Sequence, residues 1–177
     1  DKAIFFYKKG WTGINIDALP DAIKLFNNKR RRDVNIHSGV CDVESIMSFY
    51  IFKESSYNTF NQSIVEKIKK VTTLLKVKEI PVKKLTTILS NYEIPSIDFM
   101  SVDVEGFDLN VLKSNNWTLY SPKVVIVEEF INLLDNGESE IWQYMKSQGY
   151  LRFCRPVTNT FFIEKKYFIE RFGKALI

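Results

Sequence analysis

The sequence predicts an α/β fold: a three-layer sandwich on a mostly parallel sheet, with an antiparallel hairpin at its C-terminal end. Three observations carry this. Short apolar runs that end in acids alternate with segments of helical periodicity, which calls for a parallel sheet covered on both sides. One run, residues 123–128, is apolar almost throughout, as expected of a strand buried on both faces. The chain closes on two extended runs, 150–155 and 160–164, separated by a short turn, so their strands must be antiparallel. No linker, repeat or low-complexity stretch interrupts the 177 residues, and one domain is the economical count.

Taken in order, residues 3–9 are apolar and aromatic and stop at Gly10, like a helix end with a glycine cap. Residues 12–17 form a short strand ending in Asp17. Leu19, Ala22, Ile23 and Phe26 recur at i, i+3, i+4, i+7 and define a helical face. Pro20 stands in the first turn of that helix, where its missing N–H costs nothing. Residues 33–37 read as a second strand, ended by Ser38 and Gly39. From 41 to 62 aromatic and polar residues mix, which predicts strand-like pieces and a long loop. Ile64, Ile68, Val71 and Leu75 predict a helix, 78–82 a short extended piece, and Leu85, Ile88, Leu89 and Tyr92 another helix before Ile94-Pro95. Residues 98–103 are the clearest strand, with Leu109 and Leu112 on the helix behind it. Ile141, Tyr144 and Met145 share one face of a further helix.

Composition narrows the function. Hydrophobic residues make up 45% and charged residues 26%, the ordinary globular range. Fourteen Phe and eight Tyr supply large side chains for the interior. The net charge of +4 is mild, and the bases are scattered except for Lys29-Arg30-Arg31-Arg32. That run reads as a solvated helix end or as a phosphate contact, and it is too short a stripe for a nucleic-acid partner. Two cysteines, Cys41 and Cys154, make neither a disulfide framework nor a zinc spacing, and suit a reducing compartment as small core residues. No apolar run approaches the ~20 residues of a membrane span, and no signal-peptide pattern is present. The expectation is a soluble cytoplasmic protein. The chain opens at Asp1 directly into an apolar segment, so it reads as beginning inside a fold.

In open parallel sheets ligands bind beyond the carboxyl ends of the strands. The residues there are Asp17, then His37, Ser38 and Gly39, then Asp103, Val104, Glu105 and Gly106, then Glu128 and Glu129. Asp17 has two acceptor oxygens suited to the ribose hydroxyls of an adenosine cofactor; equally, it suits the cap of the following helix. Asp103 and Glu105 lie two apart, the spacing that puts strand side chains on one side. Two like charges there raise one pKa, as a general base requires. The alternative is a solvated acid and an acid at a helix N-terminus. Gly106 permits a tight turn. His37, the one histidine, is a candidate base or a structural residue. Glu128 and Glu129 extend the acidic group, whose oxygens suit a hard cation, but no spacing is diagnostic and no metal is assigned.

These residues resemble a family. Residues 97–106, reading Ile-Asp-Phe-Met-Ser-Val-Asp-Val-Glu-Gly, with Leu109 and Leu112 behind them, look like the signature segment of the FkbM-type methyltransferases. Residues 10–20, beginning Gly-Trp-Thr-Gly, are similar to the second-strand region of one branch of that family, with 31–36 as its continuation and 123–128 as the strand after the Asp-Val-Glu-Gly turn. The resemblance covers most of the chain and is weakest over 41–75. It implies a Rossmann-like class I methyltransferase fold, S-adenosylmethionine as methyl donor, and a sugar or secondary-metabolite hydroxyl as acceptor. By position it places Asp17 on the ribose and Ser38, Gly39 and Val40 near the adenine. Asp103 and Glu105 then line the site of transfer, Asp103 or Glu105 acting as base and His37 ranking third.

One departure stands out. Such enzymes resemble one another in a first strand followed by an acid- and glycine-bearing turn, and none of the seven glycines here makes a Gly-x-Gly. Residues 1–9 look like the end of the helix that follows that turn, so the domain is expected to be N-terminally incomplete. Two competing readings stand beside the methyltransferase: a nicotinamide-dependent enzyme on a similar sheet, and a non-catalytic Rossmann-like binding or assembly module that has lost the donor site.

Overall fold

The computed structural model describes residues 3–129 and 138–173. A short helix α1 (Ile4–Lys8) leads into β1 (Ile14–Asp17), α2 (Pro20–Lys29) and β2 (Val34–His37). Then come β3 (Gly39–Val40), β4 (Ser45–Phe52), α3 (Gln62–Ile68), β5 (Leu74–Lys83) and α4 (Leu85–Leu89). The second half runs β6 (Phe99–Val102), α5 (Asp108–Lys113), β7 (Val124–Glu128), α6 (Glu140–Ser147), β8 (Tyr150–Cys154), β9 (Asn159–Glu164) and α7 (Lys165–Phe172).

The strands form an α/β arrangement of mixed sheets, not one mostly parallel sheet. β1 and β2 pair in parallel, β3-β5-β4 form a second sheet, and β6-β7-β9-β8 a third. Parallel pairing holds for β1–β2, β3–β5 and β6–β7; β4–β5, β7–β9 and β8–β9 are antiparallel. The predicted C-terminal hairpin is β8–β9, docked on β7.

β7 behaves as its apolar run requires. Val125, Ile126 and Val127 are buried in succession, so both faces of the strand are covered. On one face Val125, Val127, Val102 and Phe162 meet Val111 and Leu112 of α5, Met145 of α6, and Tyr150. The Tyr150 hydroxyl satisfies itself in this core by donating to the Pro122 carbonyl at 2.7 Å.

Two predicted elements changed. The helix read through Ile64, Ile68, Val71 and Leu75 ends at Ile68. Val71 lies 70% exposed in the turn that follows, and Leu75 has joined β5. The extended piece read at 78–82 is the second half of that ten-residue strand, which pairs along β4 into a long antiparallel arm. One face of the arm packs Phe49, Ile51, Ile80 and Val82 against Ala18, Cys41 and Phe60. The sequence reading assigns no element after Glu164, where α7 stands with Phe168 buried.

The basic run is solvated at Lys29, Arg31 and Arg32 but not at Arg30. Arg30 is buried, with its Nε 2.7 Å from Asp33 Oδ2, the two side chains being 6% and 0% exposed. Asp33 also accepts from the Gly13 backbone N–H (2.9 Å) and from Asn15 Nδ2 (3.1 Å). A buried ion pair is tolerable only when its remaining lone pairs are used in this way. The group thereby stitches β1 to β2 and aligns their ends. Arg32 donates to the Tyr7 carbonyl at 2.6 Å and lies 4.0 Å over the Tyr7 ring, tying α1 down. Of the cysteines, Cys41 is core and Cys154 is exposed, both unbridged. Among the described residues no helix is long and apolar enough to cross a membrane.

Candidate functional site

The β6–β7 ladder builds the acidic group. Val102 pairs in parallel with Val127, so Asp103, just past β6, and Glu128, the last residue of β7, follow side by side at the carboxyl end of the ladder. Glu105 joins them by a different route from the one its spacing suggests. β6 stops at Val102, and strand alternation no longer operates beyond it. Instead Glu105 adopts φ 51° and Gly106 φ 90°, two successive left-handed residues that fold the turn back. One carboxylate oxygen from each of Asp103, Glu105 and Glu128 lies within 4.8 Å of the others.

A non-glycine residue in the left-handed region costs about 1 kcal/mol or more, so the turn needs holding. Asp108, the first residue of α5, does this from one side. Its carboxylate accepts from the Val104 N–H at 3.3 Å and from the Gly106 N–H at 3.2 Å. From the other side the Thr59 hydroxyl donates to the Glu105 carbonyl at 2.9 Å. Neither Asp108 nor Thr59 is a residue the sequence reading selects. An acid opening a helix just after a glycine is the signal that could have found Asp108; a threonine 46 positions away gives none.

Electrostatics follow from this geometry. Burial is the main cause that pushes the Glu105 carboxyl up from 4.5 to about 7, with Glu128, Asp103 and Asp108 adding like-charge repulsion. Burial also raises Asp108, to about 6, against the pull of its backbone N–H bonds. A carboxylate that titrates near neutrality can take a proton from a hydroxyl and release it again. Three carboxylate oxygens at this spacing are a donor set that a hard cation could accept.

The second group of predicted residues sits at the ends of β1 and β2, where Asp17 pairs in register with His37. Burial raises the Asp17 carboxyl above its usual range. Its Oδ1 accepts from the Leu19 N–H at 2.7 Å, which organises the entry to α2, while Leu19 itself occupies the cap position. His37 Nε2 lies 3.0 Å from the Ala18 carbonyl, to which it donates in the Nε2-protonated form. Among the described residues no hydrogen bond or ion pair joins His37 to Asp103 or Glu105. Ser38 is buried, donating its hydroxyl to the Gly39 carbonyl at 2.8 Å and its N–H to the Asp17 carbonyl at 3.1 Å. Gly39 is required by packing, since a Cβ there would meet Val82 Cγ1 at 2.6 Å and Phe60 Cζ at 2.8 Å. Val40 packs on the same core cluster as Val104, and Asn110 of α5 reaches Asp42 at 3.0 Å. The strand that leaves Ser38 therefore runs towards the acidic turn.

A cleft of about 320 Å³ opens beside the turn, lined by Gly106, Asp108, Leu109, Glu128 and Ser139 among others. Glu129, read from the sequence as part of the acidic group, is buried and accepts from the Ser139 hydroxyl that caps α6. A larger cleft of about 530 Å³ lies between Gly149 and α7. It adjoins Glu164, at the amino end of the β6–β7 ladder and so away from the acids.

Compared with known proteins, residues 1–152 match the sequence model of one family, described as the methyltransferase FkbM domain. No curated protein and no solved structure matches the chain.

Proposed function

The chain belongs to the FkbM methyltransferase domain family, and from that premise we propose that it is an S-adenosylmethionine-dependent O-methyltransferase acting on a hydroxyl of a sugar or secondary metabolite. The observation that carries this reading is the convergence of Asp103, Glu105 and Glu128 at the carboxyl end of β6 and β7, with Glu105 titrating near neutrality. In this reading β1–β2 and β6-β7-β9-β8 belong to one Rossmann-like class I sheet, closed by its antiparallel hairpin.

The residues present fit the adenosine half of the donor. Asp17 keeps one carboxylate oxygen beyond the Leu19 bond for a ribose hydroxyl, at the carboxyl end of β1 where such ligands sit. In this reading Ser38, Gly39 and Val40, which follow the end of β2, would lie near the adenine. The donor supplies an already activated sulfonium methyl. What the protein adds is alignment and a base. Glu105, about half ionised at pH 7, accepts the acceptor's hydroxyl proton as the new oxygen–carbon bond forms and the carbon–sulfur bond breaks, its electron pair staying on sulfur. Asp103 and Glu128 keep Glu105 basic and favour a cation beside them.

The test is methyl transfer from labelled donor to a panel of sugar and metabolite hydroxyls. Asp103→Asn and Glu105→Gln should each lower turnover by about 10²-fold or more while keeping the parent circular dichroism. Full activity in both variants would remove the acids from the mechanism.

A further inference from the structure

We propose that Thr59 is a positioning residue for Glu105: the segment between β4 and α3, through the Thr59 hydroxyl and the neighbouring Asn61 amide, holds the turn that aims the Glu105 carboxylate at Asp103 and Glu128.

Thr59 is fully buried and every polar group it carries is committed. Its backbone N–H and C=O both pair with Tyr50 of β4, at 3.2 and 2.9 Å. Its hydroxyl donates to the Glu105 carbonyl and accepts from the Asn61 N–H, each at 2.9 Å. On one side Asn58 Oδ1 accepts from the Phe52 N–H at 2.8 Å. On the other, Asn61 caps α3 through Ser63 and turns its Nδ2 towards the Gly106 carbonyl at 3.4 Å. The segment is strapped to β4, and its contacts with the turn go to the carbonyls of the two left-handed residues.

That placement answers a specific need. The turn carries backbone strain at Glu105 and like charges from Asp103, Glu128 and Asp108 that push its side chain outward. Relaxation would relieve both. Asp108 grips the N–H groups of the turn, leaving the carbonyls to be fixed from outside, and Thr59 fixes the one that belongs to Glu105. Because Thr59 is neutral, replacing it changes geometry without changing the charges around Glu105.

The role assigned to Glu105 rests on the methyltransferase reading; the positioning itself does not, and it is measured without donor or acceptor. The experiment is a carboxyl-carbon NMR titration of Glu105, assigned by its loss in Glu105→Gln, in the parent, Thr59→Val and Thr59→Ser. Thr59→Val should lower the Glu105 midpoint by about one pH unit as the carboxylate moves into solvent, and Thr59→Ser should restore it. Asn61→Ser keeps a cap for α3, removes only the Gly106 contact, and should give a smaller fall in the same direction. It reads the same question if Thr59→Val does not fold. A folded Thr59→Val or Asn61→Ser with the parent midpoint overturns the proposal. With an acceptor in hand, Thr59→Val should lower kcat about ten- to a hundredfold with KM unchanged, whereas a merely structural role would leave kcat per folded molecule as it was. If the midpoint shifts but no variant, nor the parent, transfers methyl, the positioning stands and the proposed activity fails.

Discussion

Glu105→Gln should make the protein more stable at alkaline pH. The Glu105 carboxyl titrates at about 7 in the fold against 4.5 for an ordinary glutamate. The folded state therefore holds the proton more tightly than the unfolded chain. Stability from this group is fully present below pH 4.5 and is lost as the pH rises through about 7. The full shift corresponds to about 3 kcal/mol at about 1.4 kcal/mol per unit, and partial solvent access brings the expected effect to about 1–2 kcal/mol. Gln keeps the shape of the side chain and the same left-handed backbone, but cannot ionise. At pH 8 the variant should exceed the parent by about 1–2 kcal/mol, and at pH 5 by less than about 0.5 kcal/mol. Urea unfolding followed by tryptophan emission at both pH values measures this. A variant that is less stable at pH 8, or shifted equally at both pH values, would refute the electrostatic account of the turn.

Three further outcomes follow from single contacts. Asp33→Asn removes the carboxylate charge that faces the buried Arg30 guanidinium and should cost about 3–5 kcal/mol in urea unfolding at pH 7. Gly106→Ala forces a side chain into φ 90° and brings its Cβ 3.4 Å from Asn61 Nδ2; it should cost about 1–2 kcal/mol, and Glu105 should titrate lower by NMR. Asp108→Asn replaces one of two carboxylate oxygens that accept Val104 and Gly106 N–H groups with a donor, so denaturation at pH 7 should show a loss of about 1–3 kcal/mol.

What the sequence made legible was what depends on burial along one strand. Residues 124–128 read as a doubly covered strand because no polar residue interrupts them before Glu128, and the acids at strand ends stood out because charge abruptly replaces an apolar run. The β4–β5 arm was not legible. One face carries Phe49, Ile51, Ile80 and Val82 into the core, while the other is covered only near Tyr50 and Phe52 and leaves Ile46 and Val77 exposed, so neither strict alternation nor a continuous apolar run marks it. The helical spacing of Ile64, Ile68, Val71 and Leu75 misled for the same reason: Leu75 was spaced for a helix and paired as a strand, a tertiary override of a local pattern. At the site, the neighbouring ends of β6 and β7 were readable from pattern, and the convergence of Glu105 on them was predicted for the wrong reason. A left-handed turn does what strand alternation was expected to do. His37, the one histidine, stands at a strand end where a base could act, yet its ring bonds back to Ala18. The run Lys29-Arg30-Arg31-Arg32 predicts a solvated helix end, while Asp33, three residues past Arg30, draws that one side chain inside.

The account's central claim is that these strand ends hold an adenosine-bearing methyl donor beside an acidic turn. Calorimetric titration of S-adenosylmethionine and S-adenosylhomocysteine into the full-length protein and its Asp17→Ala variant tests it most directly. Saturable one-site binding by the parent, weakened at least about tenfold, or about 1.4 kcal/mol, in folded Asp17→Ala, is the predicted result. A folded parent that binds neither compound would contradict the claim and leave a non-catalytic module as the better description.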